Sequence, residues 1–396
     1  MRAVEDRSVR TEVSGALSQT ARSRGSETRP TARGSAGERR VTRRVGIDLT
    51  YLFPGRALGH QRVCEGLVAG WGRLAGSGAL DWEPVLLLSE EARPLFSSSA
   101  FASPPTGIRA VSATHRVLAQ NVRLPQLCRR ENLSLLYCPG NAAPLLAGLP
   151  TVVTLHDLHH RQYPTQYALA RRSFFRLVAE PSLRRAARVV VPSKFTADQA
   201  RQWLDLGSAV VPLSPQLPCD APSGRPLRPA PPERPYFISV SATLPHKNVA
   251  LLLRAFAAYR ALGGGHSLAL VGPHEVARGA EGVLVLDAVD DTELRHLFES
   301  ASGFVSASEY EGFGLPLAEA LAIGCPVLAP RLASIPETLG PDGHYFDSLQ
   351  SDTMARDLLH FEHVDRPPPG AGNFGRRTWI EVAADYGAIF AEVIAQ

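Results

Sequence analysis

Short apolar runs that recur between helix-like stretches constrain this chain more than any other feature of its sequence. Residues 45–49 (VGIDL), 83–88, 135–137, 151–155 (TVVTL) and 189–191 each have the length and continuous hydrophobicity of a strand covered on both faces. A second series follows at 236–240 (YFISV), 267–271 (SLALV), 283–286, 303–305 and 326–329. Strands spaced by helical segments build parallel α/β units. Between the two series, residues 212–235 hold nine prolines in 24 positions, a stiff segment that cannot join a sheet and so marks a domain boundary. The fold class predicted is α/β, with two Rossmann-like doubly wound parallel sheets in tandem. Residues 1–44 form a tail, 45–211 a first domain, 212–235 the linker, 236–365 a second domain and 366–396 a C-terminal segment. Open parallel sheets bind ligands outside the carboxyl ends of their strands, so two that face each other line a cleft with strand-end loops.

Charge narrows the partners. The formal net charge of +4 comes from the tail, where eleven Arg face five acids, so the rest of the chain stands at −2 and offers no field for a nucleic acid. The tail has no aromatic residue and too little apolar surface to offset its ordering entropy, so it reads as a disordered, solvated extension. Only two of the 42 basic residues are lysines, Lys194 and Lys247, which singles out a lysine at a strand end. The five cysteines (64, 128, 138, 219 and 325) form no CxxC pair and read as reduced thiols of a cytosolic protein without a zinc framework. No apolar h-region follows the N-terminal charges, and Pro139, Pro144 and Pro150 interrupt the most apolar stretch, so neither a secretory signal nor a transmembrane helix is expected.

The strongest local signal is 311–319, EGFGLPLAE. Gly312 and Gly314 let backbone approach a ligand, Pro316 suits a first helical turn, and Gly324 stops the helix. Such a loop presents free N–H groups to an anion such as phosphate, while Glu311 in the loop and Glu319 in the first turn or so of the helix can accept bonds from sugar hydroxyls. The plainer account is a tight turn with Glu319 complementing the helix dipole. A second signal is 241–248, SATLPHKN, which places His246 and Lys247 after a strand and before an apolar helix, where a cation can neutralise a departing diphosphate. The helix dipole disfavours a lysine there, which argues for function.

His156-Asp157, inside HDLHH after TVVTL, places a histidine at a strand's cleft end, where it can contact a hydroxyl or move a proton while Asp157 orients it. His156, Asp157, His159 and His160 are also metal-ligand types. They lack the i, i+4 pair of HExxH, no distant ligand set stands out and no DxD occurs, so no metal is expected. Residues 161–188, which open on Arg161 and close on Arg188, hold seven Arg and one Glu with Phe174 and Phe175 among them. They read either as a solvated face with the Phe in the core or as a basic amphipathic segment that rests on an anionic membrane.

In this order the pieces resemble the GT-B glycosyltransferases, specifically family four of the retaining nucleotide-sugar-dependent enzymes, from Val45 to about Tyr386, and most of all their mannosyltransferase-type members. The family's Glu-x7-Glu signature is matched by Glu311 and Glu319, its Pro-Arg-Lys-Asn segment by Pro245, His246, Lys247 and Asn248, and its serine loop by Ser193. Ile335, Pro336 and Glu337 stand for its Leu-Pro-Glu, and the helix from Trp379 to Tyr386 for the one that crosses back to the first domain. The resemblance implies that Glu311, His156 and Lys247 are catalytic. It implies a donor site of Ser241, His246, Lys247, Gly272, Glu311, Gly312, Phe313, Gly314, Leu315 and Glu319, with Asp157, Ser193 and Asn248 in support. Glu311 would meet the donor sugar, Glu319 the ribose, Lys247 the diphosphate and His156 the transferred sugar.

The implied activity is transfer of a hexose, mannose-like, from a nucleoside diphosphate sugar to a hydroxyl of a glycan, lipid-linked or small-molecule acceptor, with retention and without a cofactor or metal. The implied setting is surface polysaccharide or glycolipid synthesis, in the cytoplasm or at the inner face of its membrane. Two departures stand out. His246 replaces an Arg, which makes donor binding pH-sensitive, and Gly59-His60-Gln61-Arg62-Val63 replaces a Gly-rich acceptor-side loop. The alternatives are a non-catalytic GT-B protein that binds a nucleotide or partner, and a GT-B sugar-nucleotide epimerase or phosphorylase.

Overall fold

A computed structural model describes residues 43–53, 58–97, 119–217, 235–287 and 289–396. The first sheet orders its strands β2-β1-β3-β4-β5-β6, from β1 (Arg43–Asp48), β2 (Trp82–Leu87), β3 (Leu135–Cys138), β4 (Thr151–Thr154), β5 (Arg188–Val191) and β6 (Ala209–Val210). The second runs β12-β11-β10-β7-β8-β9, from β7 (Tyr236–Val240), β8 (Ser267–Val271), β9 (Val283–Leu286), β10 (Gly303–Val305), β11 (Val327–Ala329) and β12 (His344–Tyr345). Every pairing is parallel, as βαβ crossovers require.

Helices cover both faces of each sheet, which is why the central strands are buried almost throughout. On the first sheet these are α1 (Leu58–Gly76), α2 (Leu124–Arg130), the short α3 (His159–Gln162), α4 (Leu169–Phe174) and α5 (Glu180–Arg185), and α6 (Lys194–Leu204). The second carries α7 (Val249–Ala261), α8 (Asp291–Ser300), α9 (Leu315–Ala322), α10 (Ile335–Leu339) and α11 (Ser351–Phe361), and the chain closes with α12 (Trp379–Ala395). One core layer joins β1 and β3 to Trp71 of α1 and Phe390 of α12, and the opposite layer packs Leu124, Leu183 and Leu204. In the second sheet Phe298, Leu317 and Leu321 fill one side, Phe256, Tyr259 and Phe361 the other.

Helix α12 returns to the first sheet. A capping box of Thr378 and Glu381 starts it, Trp71 Nε1 donates to its Ala383 carbonyl at 3.0 Å, and Tyr386 Oη lies 2.9 Å from Thr154 Oγ1. The opening of the proline-rich segment lies along this helix. Arg377 Nε donates to the Pro212 carbonyl at 2.8 Å and Trp379 Nε1 to the Gln216 carbonyl at 3.0 Å. Residues 218–234 of that segment, and 1–42 of the tail, lie outside the described residues, as does Cys219.

The ten runs read from the sequence are strands to within two residues. The first starts earlier, because β1 takes in Arg43 and Arg44, which composition groups with the tail. Arg44 is held there by Glu83 at 3.3 Å and Glu131 at 3.5 Å. Edge strands β6 and β12 have two residues each, too short to stand out in the sequence. The other four cysteines are free and buried, and among the described residues no helix is long and apolar enough to cross a membrane.

Candidate functional site

Strand order reverses between β1 and β3 in the first sheet and between β7 and β10 in the second, and an open parallel sheet offers its crevice outside the strand ends at such a point. The residues singled out in the sequence gather there. Lys247 closes a 3-10 turn after β7, Asn248 takes the left-handed conformation (φ 51°), and α7 begins at the next residue. Glu311 follows β10, and Lys247 Nζ donates to its Oε1 at 2.6 Å with both side chains mostly buried. Gly314, at φ 83°, turns the chain into α9, and Pro316 occupies the first turn, where no N–H is missed.

The glycine loop is held from both halves of the molecule. Ser334 Oγ donates to the Glu311 carbonyl at 2.9 Å and Thr338 Oγ1 to that of Phe313 at 2.5 Å. The Gly312 carbonyl accepts from Ser193 Oγ at 2.7 Å and Thr196 Oγ1 at 3.3 Å, and Ser193 also caps α6. A Cβ on Gly312 would stand 2.1 Å from the His156 carbonyl, so only glycine lets the loop abut the end of β4. Glu337 adds a further bridge by accepting from the N–H groups of Lys194 and Phe195 at 2.8 and 3.2 Å, at the start of α6.

His156 emerges beyond β4 with its N–H on Asn141 Oδ1 at 2.8 Å and its ring Nε2 2.8 Å from the Pro139 carbonyl. A carbonyl only accepts, so Nε2 carries the proton and Nδ1 is left as an acceptor. Burial lowers the His156 pKa, which keeps the ring neutral. His60 packs against it with ring centroids 4.2 Å apart and the rings tilted by 32°. Residues 59–63, read from sequence as a loop, form the first turns of α1, apart from Gly59 unbroken by glycine.

His246 faces His159 with ring centroids 4.0 Å apart, and burial together with the neighbouring Lys247 and His159 pushes its pKa down to about 3. Burial and these neighbours therefore favour the uncharged ring. Tyr310 seals the same region by donating to Gln199 Oε1 at 2.6 Å and accepting from the Leu158 N–H at 3.0 Å. The histidines of HDLHH do not converge. His159 Nδ1 meets Tyr167 Oη at 2.7 Å, His160 stacks on Phe175 at 3.9 Å and pairs with Glu180, and Asp157 accepts the His159 N–H at 3.0 Å. Among the described residues no three His, Cys, Asp or Glu side chains are grouped to hold a metal ion.

Glu319 is the fifth residue of α9, just past the first turn as its sequence position suggests, and is wholly buried. Arg62 of α1 donates from Nη1 to both its oxygens at 3.0 Å, and from Nη2 to Asp291 at the start of α8. Burial pushes the Glu319 pKa up to about 8 although Arg62 draws it down. Ser241 and Gly272 lie at the ends of β7 and β8, tied by His274, whose Nε2 is 2.9 Å from the Ser241 carbonyl. Sequence reasoning missed His274 and the part played by Arg62. The position of His274 just beyond the β8 run was its only local signal. In the basic stretch, Phe175 is buried while Leu169, Leu177 and the side chains of Arg171, Arg172 and Arg176 are exposed.

Residues 79–213 match the family model described as Glycosyltransferase Family 4, and residues 225–365 the one described as Glycosyl transferases group 1. An MMP alpha-(1->4)-mannosyltransferase of Mycolicibacterium hassiacum is 34% identical over 117 residues, 27% of this chain and 28% of the relative. O-antigen chain mannosyltransferase B of Escherichia coli is 40% identical over 74 residues, 19% of each. The chain thus aligns with less than a third of the length of either curated relative. A crystal structure of a glycosyltransferase from Rickettsia africae superposes with a TM-score of 0.62 at 12% identity, covering 90% of this chain and 99% of the other, a likeness of fold.

Proposed function

The chain belongs to the GT-B glycosyltransferases of family four, and from that premise we propose that it transfers a hexose, mannose in the favoured reading, from a nucleoside diphosphate sugar to a hydroxyl acceptor with retention. The observation that carries this reading is the meeting of Lys247 and Glu311, 2.6 Å apart, beside the N-terminus of α9 and next to the His156 end of β4. Each group suits one part of such a donor. Lys247 and the positive end of α9 balance the charge that develops on a leaving diphosphate. Glu311, held in place by Lys247, accepts hydrogen bonds from hydroxyls of the sugar. His156, neutral and with Nδ1 as acceptor, takes a further hydroxyl of the transferred ring. As the bond to the diphosphate lengthens, positive charge grows on the sugar, and a phosphate oxygen on the same face receives the acceptor's proton. No separate carboxylate base is needed, and no metal is assigned to the step.

The experiment is a thermal-shift panel of GDP-mannose, UDP-glucose and UDP-N-acetylglucosamine, with and without EDTA. A ligand that binds only the folded state stabilises it by about 2.7 kcal/mol at one hundred times its dissociation constant. The reading predicts a shift with one sugar nucleotide that survives EDTA. The absence of a shift with all three, or one abolished by EDTA, counts against it.

The acceptor is proposed to be a glycan or lipid-linked hydroxyl, approached from a membrane surface. Support comes from Arg171, Arg172 and Arg176 beside Leu169 and Leu177, exposed by 75% and 66%, basic and apolar side chains on one stretch. Co-sedimentation with anionic vesicles but not neutral ones is expected, and equal negligible binding removes the membrane reading.

A further inference from the structure

The Glu-x7-Glu signature accounts for Glu319 but not for the side chain that holds it. Among the described residues Arg62 is the one side chain that donates to Glu319, and it comes from α1, 257 positions earlier and on the other sheet. We propose that Arg62 is a positioning residue for donor binding, which reaches across the cleft to fix the Glu319 carboxylate for the donor's ribose and so makes that contact depend on the approach of the two halves. The proposal rests on the reading of Glu319 as the ribose contact.

The carboxylate keeps hydrogen-bonding capacity beyond Arg62. One guanidinium nitrogen at 3.0 Å from each oxygen uses one lone-pair direction of each and leaves the others for a pair of vicinal hydroxyls. The charges facing Glu319 are Arg62 from α1 and Asp291 from α8, and Glu65, one turn along α1, faces Arg62 and Asp291 in turn. Desolvation of the wholly buried carboxyl opposes its ionisation, and so does Asp291. Arg62 is the group that favours it. Removal of Arg62 therefore leaves the carboxyl both unanchored and harder to ionise, while removal of the Asp291 charge leaves all of Arg62 to Glu319.

The test is calorimetric titration of GDP-mannose and of GDP into the full chain from pH 6 to 9.5. Wild-type affinity is expected to improve as pH rises through the Glu319 titration. Arg62→Gln moves that midpoint up by about one pH unit, which is about tenfold weaker binding on its acid side, with recovery toward wild type at pH 9.5. Arg62→Lys restores most of the loss, Asp291→Asn moves the midpoint down, and Glu319→Gln flattens the profile in either background. A purely structural Arg62 would lower affinity equally at every pH. That outcome, or Arg62→Gln with the wild-type profile, overturns the proposal while the donor reading survives. No binding of GDP-mannose or GDP by the wild type overturns the donor reading and the proposal with it. Thermal unfolding of each variant establishes that the binding changes belong to folded protein.

Discussion

Gly312→Ala isolates the contact between the second sheet's glycine loop and the first sheet. The backbone at Gly312 is not in the left-handed region, so alanine suffers no conformational penalty there, and the whole effect falls on its Cβ, 2.1 Å from the His156 carbonyl. Relief requires the loop to move by more than an ångström. It is pinned by Ser334, Ser193 and Thr338 on three successive carbonyls, so the movement gives up the Ser193 bond at least. Overpacking against a fixed neighbour costs about 1–3 kcal/mol, and a lost buried hydrogen bond adds about 1 kcal/mol. Together these are about 2–4 kcal/mol, or roughly 30-fold to 1,000-fold in an equilibrium between apposed and separated halves. Separation of the loop from β4 relieves the clash but also draws on Phe313 and Leu315, which pack in the first sheet's core, so the penalty divides between the apposed state and that core. The assay compares kcat/KM for the donor with the melting temperature. Gly312→Ala should lose at least about 30-fold in kcat/KM with a modest drop in Tm. Gly76→Ala, whose Cβ meets nothing within 4 Å, should lose neither. Wild-type kcat/KM in Gly312→Ala, or a collapse of Tm, refutes the reasoning.

Three further outcomes are expected. Lys247→Ala should lower turnover by about a hundredfold or more, the usual loss when one preorganised charge-stabilising group is removed, with Tm unchanged; the ratio of the two effects is the check. Trp379→Ala should destabilise by about 3–5 kcal/mol in denaturant unfolding, because its ring fills the space that Gly66 leaves on α1 and its Nε1 holds the Gln216 carbonyl. Glu319 binds its proton more tightly in the folded chain (pKa about 8) than at its ordinary value of 4.5, so folding is favoured below that value and the advantage is lost as pH rises through about 8. Tm measured from pH 5 to 9 should accordingly show Glu319→Gln gaining on the wild type as pH rises.

What could be read from sequence was local. Ten apolar runs became strands because a strand buried on both faces must be continuously hydrophobic, whereas Ala209–Val210 and His344–Tyr345 are two-residue pairings at sheet edges, too short to stand out. Lys247, Glu311 and His156 could be found one by one because each follows a strand, and strand ends are where a doubly wound sheet binds. Their mutual contacts, and those of Arg62, Glu319 and Asp291, join positions far apart in the chain and leave no mark in any short window. The neutral state of His246 was equally hidden, because it comes first from burial in the fold and then from Lys247 and from His159 of the other half of the molecule. In the Arg-rich stretch Phe175 lies in a small core and three Arg side chains are exposed, as the solvated-face reading has it.

The central claim is that the Lys247–Glu311 cradle serves transfer of a sugar from a nucleotide donor. The most direct measurement incubates the purified chain with GDP-mannose and a pool of glycan and lipid-linked acceptors, and follows release of GDP and the anomeric configuration of the new linkage by NMR. The account predicts acceptor-dependent release of GDP, an α linkage from the α-linked donor, and loss of both in Lys247→Ala and Glu311→Ala. A donor sugar altered without an acceptor, an inverted linkage, or undiminished transfer in the two variants would contradict it.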